Sequence, residues 1–288
     1  MEWVLGFRHD ALTPIFQGLT FLGDLNFFLV FLPLGYWLFD RQSFFRLTVL
    51  LCVTGFLNSA LKEFFAVARP DEIPHLVHAT GWSFPSGHAQ VGAVTWGWLA
   101  WQARRRWATL AAALLIVGIA TSRVYLGVHR PVDIFAGATL GLVTVAFAQW
   151  WTSQTPEVWQ TAMAKIGQGG QFLLLTVTVA AMVLALPDVK ENVVAMGVLF
   201  GVSIAATLEE RWVGWSCPTG WGQNLAIAVI GLGVAGLLRW GLKVFLATMG
   251  FGATGLGATA ADFLRYALIG VWIGLVGPWL FSRLFSRG

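Results

Sequence analysis

Three short polar clusters interrupt an apolar chain: Lys62 with Arg69-Pro70, then Pro85-Ser86-Gly87-His88, then Ser122-Arg123 with His129 and Asp133. They supply three cations, two imidazoles and one carboxylate. That set can hold a phosphoryl group, attack it and protonate its leaving oxygen. Lys62 and Arg69 are seven residues apart, two turns on one face if the helix continues, and Pro70 then stops it. Pro85-Ser86 opens a helix whose first N–H groups suit an oxyanion, and Gly87 lets backbone approach a ligand closely. His129 and Asp133 are four apart, so the carboxylate can accept from one ring nitrogen and leave the other to attack. Each cluster alone also has a plain structural reading: snorkelling cations, a Ser cap beside an interfacial His, and a His–Asp pair at a helix start. Their coincidence in one chain points to chemistry, because polar residues within membrane segments are costly.

The elements that must position these clusters are apolar helices. The chain of 288 residues is 57% hydrophobic and 11% charged, with mean hydropathy +0.71. Soluble proteins carry about twice that charge fraction. The expected fold class is all-α, a polytopic integral membrane helical bundle of about nine transmembrane helices. The spans read as about 14–39, 44–66, 86–102, 107–126, 131–151, 172–187, 192–208, 222–246 and 264–282. Period-2 alternation, the mark of a transmembrane barrel, is missing. The start lacks the pattern of a cleaved signal peptide, so the first apolar segment is expected to direct insertion.

Residues 1–151 carry all three clusters and read as one core. Residues 152–288 read as additional transmembrane helices, with 152–171 as the division and the Gly-rich 247–260 as a loop or broken-helix junction. Net charge is +4 and the pI about 9.4, but the basic residues are scattered, which excludes a nucleic-acid partner. The one run, Arg104-Arg105-Arg106, reads with Arg41 and Arg46 as cytoplasmic. The C-terminus with Arg283 and Arg287 then lies inside, and all three clusters face the extracytoplasmic side of an inner or plasma membrane. Lys190, Arg239, Lys243 and Arg265 fall on the outer side in that arrangement and weaken the bias. Cys52 and Cys217 have no metal-site spacing and imply no disulfide framework.

K-x6-R-P, P-S-G-H and S-R-x5-H-x3-D together resemble the three signatures of the type 2 phosphatidic acid phosphatase superfamily, over about residues 20–150. The resemblance implies a metal-independent phosphatase with no cofactor. Lys62, Arg69 and Arg123 would bind phosphate with Ser86 and Gly87. His129, oriented by Asp133, would form a phosphohistidine, and His88 would protonate the leaving alkoxide. One span before the first motif and about four after the third are similar to the glucose-6-phosphatase and sphingosine-1-phosphate phosphatase branches. The implied partners are the membrane and a lipid phosphate; the oligomeric state, a homo-oligomer included, stays open.

Asn58 reads as support for Lys62 or as an interhelical hydrogen bond, and Ser122 as support for Arg123. Asp24 and Asn26 fall inside the first span, and His75 and His78 in a solvated loop. Two other functions remain open: a phosphotransferase using the same intermediate, and a lipid-phosphate transporter or binding protein. A haloperoxidase, which shares these motifs in soluble form, is disfavoured by the apolar spans.

Overall fold

The structure, a computed structural model, describes residues 1–154, 157–187, 189–218, 220–251 and 254–285. Arg287, one cation of the expected cytoplasmic C-terminus, lies outside them. Every regular element among the described residues is helical. After a 3-10 turn at Glu2–Phe7 come α1 (Thr13–Phe21), α2 (Leu25–Leu38), α3 (Arg41–Phe65), α4 (Gly87–Ala103), α5 (Arg106–Tyr125) and α6 (Pro131–Gln154). Then follow α7 (Glu157–Ala185), α8 (Lys190–Trp212), α9 (Trp221–Thr248), α10 (Gly255–Val271), a π-helical turn at Trp272–Val276 and α11 (Gly277–Phe285).

Seven of these helical stretches are long and apolar enough to cross a membrane, or eight if α1 and α2 form one broken span. The chain is a multi-pass integral membrane protein, and the expected count of nine is not confirmed among the described residues. Helix α4 has 17 residues and rises about 26 Å, at the short end of the lengths that cross a hydrocarbon core of about 30 Å. The first expected span is not continuous either: α1 and α2 are bent by 52°. Asp24 causes the break locally, because its Oδ1 accepts from the Asn26 backbone and side chain at 2.8 Å and so starts a new helix. The stretch 152–171 is largely helical, with α7 kinked where Gly167 takes φ 62°. Helix α9 ends at Thr248 and α10 begins at Gly255, a junction within the Gly-rich stretch.

The chain divides into two compact units, Met1–Leu29 with Val53–Gln154, and Val30–Cys52 with Thr155–Gly288. In the second unit α8 and α10 approach through small residues. A Cβ on Gly201 would lie 2.0 Å from the Ala267 carbonyl oxygen, and one on Gly270 2.8 Å from the Val202 nitrogen. The fully buried Glu209 accepts from Arg41 and from the Trp215 backbone N–H, fastening the segment after α8. Both cysteines are free.

In the first unit α4 packs on α5 and α6. Its approach to α6 depends on two glycines: Cβ atoms on Gly137 and Gly141 would each sit 2.4 Å from a carbonyl oxygen of the facing strand of backbone, Ser86 and Gln90 respectively. Main chain cannot yield as a flexible side chain can. Gly137→Ala is therefore expected to lower stability by ~1–3 kcal/mol, the usual cost of overpacking. Thermal unfolding in detergent would show this against Gly169→Ala, where an added Cβ meets nothing within 4 Å. Equal midpoints would mean that the α4–α6 approach is not tight.

Candidate active site

Helix α4 begins at the site because Pro85 and Ser86 cannot continue a helix backwards, and Ser86 sits extended at the N-cap (φ −69°, ψ 116°). Its N–H donates to the Asp133 carbonyl at 3.0 Å, tying the start of α4 to the first turn of α6. Asn58, on α3, holds the same segment from the other side. Its Nδ2 donates to the Pro85 carbonyl at 3.2 Å and to Gln90 Oε1 at 2.8 Å. A Cβ on Gly87 would meet Asn58 Oδ1 at 3.0 Å, so a glycine fits closely there. Asn58 thus supports the Pro85–His88 segment.

The cations come from three elements and are anchored mainly on carbonyl oxygens. Lys62 Nζ donates to the Trp82 carbonyl at 2.9 Å. Arg69 donates to Gly81 O at 3.1 Å, Thr80 O at 2.7 Å and Val128 O at 3.0 Å. Arg123 is 4% exposed, and its Nη1 donates to Thr20 Oγ1 at 2.6 Å. Its Nε and the Ser86 Oγ are buried without a hydrogen-bond partner. The break between α1 and α2 matters here, since Thr20 lies beside it and Asp24 is near enough to act electrostatically on Arg123. A Cβ on Gly23, in that break, would lie 3.1 Å from the His88 ring. His88 in turn lies within electrostatic reach of Arg123, His129, Lys62 and Arg69.

His129 is 1% exposed. Its Nε2 faces Arg69 Nη1 at 3.2 Å. A guanidinium only donates, so Nε2 holds the lone pair and Nδ1 carries the hydrogen of the neutral ring. Nδ1 lies 3.2 Å from Ser83 Oγ and 3.4 Å from Asp133 Oδ2. That oxygen also accepts from Ser83 Oγ at 2.6 Å and from the Arg130 N–H at 2.8 Å. The turn before α6 is fixed by Gly127 at φ 84°, where a Cβ would meet the Pro74 carbonyl oxygen at 2.8 Å. Burial holds the His129 pKa down, to about 4, against a raising contribution from Asp133, while Arg69, Arg123 and Lys62 lower it further. Burial also lowers the Arg69 pKa from its ordinary value, with Asp133 acting in the opposite sense.

Lys62, Arg69, Ser86, Gly87, His88, Arg123, His129 and Asp133 are thus gathered in the first unit. Ser122 takes a local part: it is fully buried and donates to the Ile119 carbonyl at 2.6 Å. His75 and His78 are exposed, and His75 Nε2 bonds the Pro70 carbonyl at 2.6 Å. Ser83, Thr20 and Gln90 were not singled out by motif spacing. Their only sequence signal is proximity: Ser83 stands two residues before Pro85 and Gln90 two after His88.

A family model described as the PAP2 superfamily matches residues 43–156. Another, the transmembrane extension of PAP2 superfamily phosphatases, matches residues 193–288. Phosphatidylglycerophosphatase B of Bacillus subtilis (strain 168) is 32% identical over 149 residues, 47% of this chain and 73% of that protein. The chain belongs to the PAP2 superfamily. Glucose-6-phosphatase 3 of Bos taurus is 30% identical over 176 residues, 51% of this chain and 49% of that one. A transmembrane PAP2-type phosphatidylglycerolphosphate phosphatase from Bacillus subtilis has a crystal structure with TM-score 0.49 and 25% identity, covering 54% of this chain and 84% of that one. The PAP2 match lies over the three clusters, and the extension match accounts for the helices after α7.

Hydrogen bonds to a charged partner contribute ~1.5–3 kcal/mol each. Arg123→Gln should therefore weaken inorganic phosphate binding about 10- to 100-fold in titration calorimetry. Unchanged affinity would remove Arg123 from the anion site.

Proposed function

We propose that this PAP2 protein is an integral-membrane phosphatase that hydrolyses a lipid phosphate monoester or pyrophosphate through a phosphohistidine at His129. One observation carries the reading: a buried imidazole presents its lone pair on Nε2 among three cations, while its Nδ1 faces a serine hydroxyl and a carboxylate. Lys62, Arg69 and Arg123 hold the phosphoryl oxygens, with Ser86 Oγ and the N–H groups that open α4. Four of the five Arg69 N–H groups are engaged, one of them on Nε2, so an arriving phosphoryl oxygen takes that one and frees the nucleophile.

Nε2 attacks phosphorus, the bond to the leaving oxygen breaks, and His88 gives that oxygen its proton. The ring becomes cationic with Nδ1–H facing Ser83 and Asp133. Water then attacks phosphorus and passes a proton to His88, the P–N bond breaks, and His129 returns to neutral. No step is assigned to a metal. Among the described residues no group of three or more His, Cys, Asp or Glu side chains could hold one.

Two observations favour a lipid over a soluble sugar phosphate. Phe64 and Phe65 stand 81% and 48% exposed directly after Lys62 and Glu63. Phe65 meets Phe84 edge-on at 5.0 Å, and Trp82, whose carbonyl holds Lys62, is 37% exposed. An apolar chain thus has aromatic surface at the edge of the phosphate site. The Bacillus subtilis relative, named as a phosphatidylglycerophosphatase, supports the same class. The site faces the extracytoplasmic side, because the Arg104–Arg106 turn closes the opposite end of α4 and α5.

Detergent-purified protein should release phosphate from lipid phosphates in EDTA, and His129→Ala should release none. Release that needs a divalent cation, or survives His129→Ala, would overturn the proposed route. A phosphorylated acceptor in place of free phosphate would instead identify a phosphotransferase. The pH dependence has a definite sign. His129 must be unprotonated to attack, and its depressed pKa keeps it so down to about pH 4. Once substrate ionisation is allowed for, kcat/KM should therefore lose its His129 contribution only as pH falls through about 4. A limb at the ordinary value of 6.5 would contradict this environment.

A further inference from the structure

The carboxylate does not reach the nucleophile by the shortest path. His129 Nδ1 lies 3.4 Å from Asp133 Oδ2 but 3.2 Å from Ser83 Oγ, and Ser83 Oγ lies 2.6 Å from the same carboxylate oxygen. The hydrogens assign themselves. The carboxylate only accepts, so the Ser83 hydrogen goes to Asp133; Nδ1 carries the ring hydrogen, so it points to Ser83 Oγ. All three side chains are buried, with Ser83 fully so. Asp133 Oδ2 is already taken by the Arg130 N–H at 2.8 Å, and Asp133 Oδ1 has no partner. The carboxylate is therefore fixed by the turn before α6, and the Ser83 hydroxyl stands closer to both the carboxylate and the ring than these stand to each other.

We propose that Ser83 is a positioning residue for the reaction: its hydroxyl bridges His129 Nδ1–H to Asp133 Oδ2, so that Asp133 orients the nucleophile through it. The proposal rests on the phosphohistidine reading. The bridge sets the ring plane in the resting protein. When the P–N bond forms and the ring turns cationic, Nδ1–H, Ser83 and Asp133 make a polarised chain that stabilises the charge, with no proton leaving Nδ1. The effect lies on the chemical step, because Ser83 contributes nothing to the phosphoryl oxygens held by Lys62, Arg69 and Arg123.

The test is kinetic, with wild type, Ser83→Ala, Ser83→Cys, Asp133→Asn and the double variant Ser83→Ala/Asp133→Asn, using one lipid phosphate in EDTA. Loss of a histidine's outer partner typically costs about 10- to 100-fold. Ser83→Ala should lower kcat by that factor and slow phosphoenzyme formation in rapid quench, with KM within about threefold. The near-isosteric Ser83→Cys, a weak donor and acceptor, should fall between it and wild type. The double variant should be about as slow as Asp133→Asn alone, as expected of groups acting in series. A Ser83→Ala kcat within twofold of wild type would overturn the proposal, and so would effects that multiply in the double variant. A loss matched by Ser83→Cys and accompanied by a fallen unfolding midpoint would also overturn it, by showing packing alone. His129→Ala run beside these separates the two readings: release surviving that substitution removes the phosphohistidine whatever Ser83 does.

Discussion

Lys62, Arg69 and Arg123 lie within electrostatic reach of His88 and of His129, and the segments that carry them are arranged around that repulsion. Lys62 and Arg69 rest on carbonyl oxygens of Trp82, Gly81, Thr80 and Val128, and Arg123 on the Thr20 hydroxyl. These neutral dipoles satisfy N–H groups without cancelling charge, while Asp133 acts on Arg69 and Asp24 on Arg123 from nearby. In a medium of low dielectric such a cluster of positive charge has a strong field, which is what the proposed reading needs for a dianionic ligand.

That requirement explains why the segment between α3 and α4 has the path it has. The backbone from Thr80 to Pro85 must turn its carbonyls toward Lys62 and Arg69, and then present Ser83 to His129 and the Ser86 N–H to the Asp133 carbonyl. It can do so only if α6 comes close enough, which the missing side chains of Gly137 and Gly141 allow. Asn58 closes the other side through Pro85 and Gln90. The fixed positions of the reacting groups therefore follow from main-chain contacts more than from the apolar packing of the bundle.

The motif residues were legible in the sequence because chemistry restricts residue type at fixed spacing: the approach of Asp133 to His129 and the Pro85–Ser86 helix start both appear as expected. Helix α3, by contrast, ends at Phe65, so Lys62 and Arg69 do not share one helix face. Ser83 was not legible. A hydroxyl two residues before a proline has no signature, and only the path of the loop brings it to a side chain 46 residues away. The break at Asp24 was hidden because hydrophobicity alone cannot tell one long span from two bent ones, although Asp-x-Asn inside an apolar run is a helix-cap signal. Helix α4 was legible as a short span, 86–102 expected against Gly87–Ala103 observed. The helices from α8 onward carry no comparable motif, so only the family match gives them an affiliation.

The two units also treat buried charge in opposite ways. In the second, Glu209 meets Arg41 and the Trp215 N–H, and Asp262 meets Arg265 at 2.6 Å. Such pairs close on themselves: the first ties α8 to Arg41 and to the segment that follows it, the second lies within one turn of α10, and both leave little field outside. In the first unit, Arg123 keeps a buried Nε without a partner and Ser86 a buried hydroxyl likewise. Arg265 in the second unit also has a buried Nε without a partner, but its Nη2 meets the Asp262 carboxylate, whereas Arg123 Nη1 rests on the Thr20 hydroxyl. A buried donor without a partner costs stability, and the proposed phosphate ligand would complete those of Arg123 and Ser86. Whether a buried guanidinium is hydrogen-bonded to a carboxylate or to a neutral hydroxyl is thus the physical difference between Arg265 and Arg123.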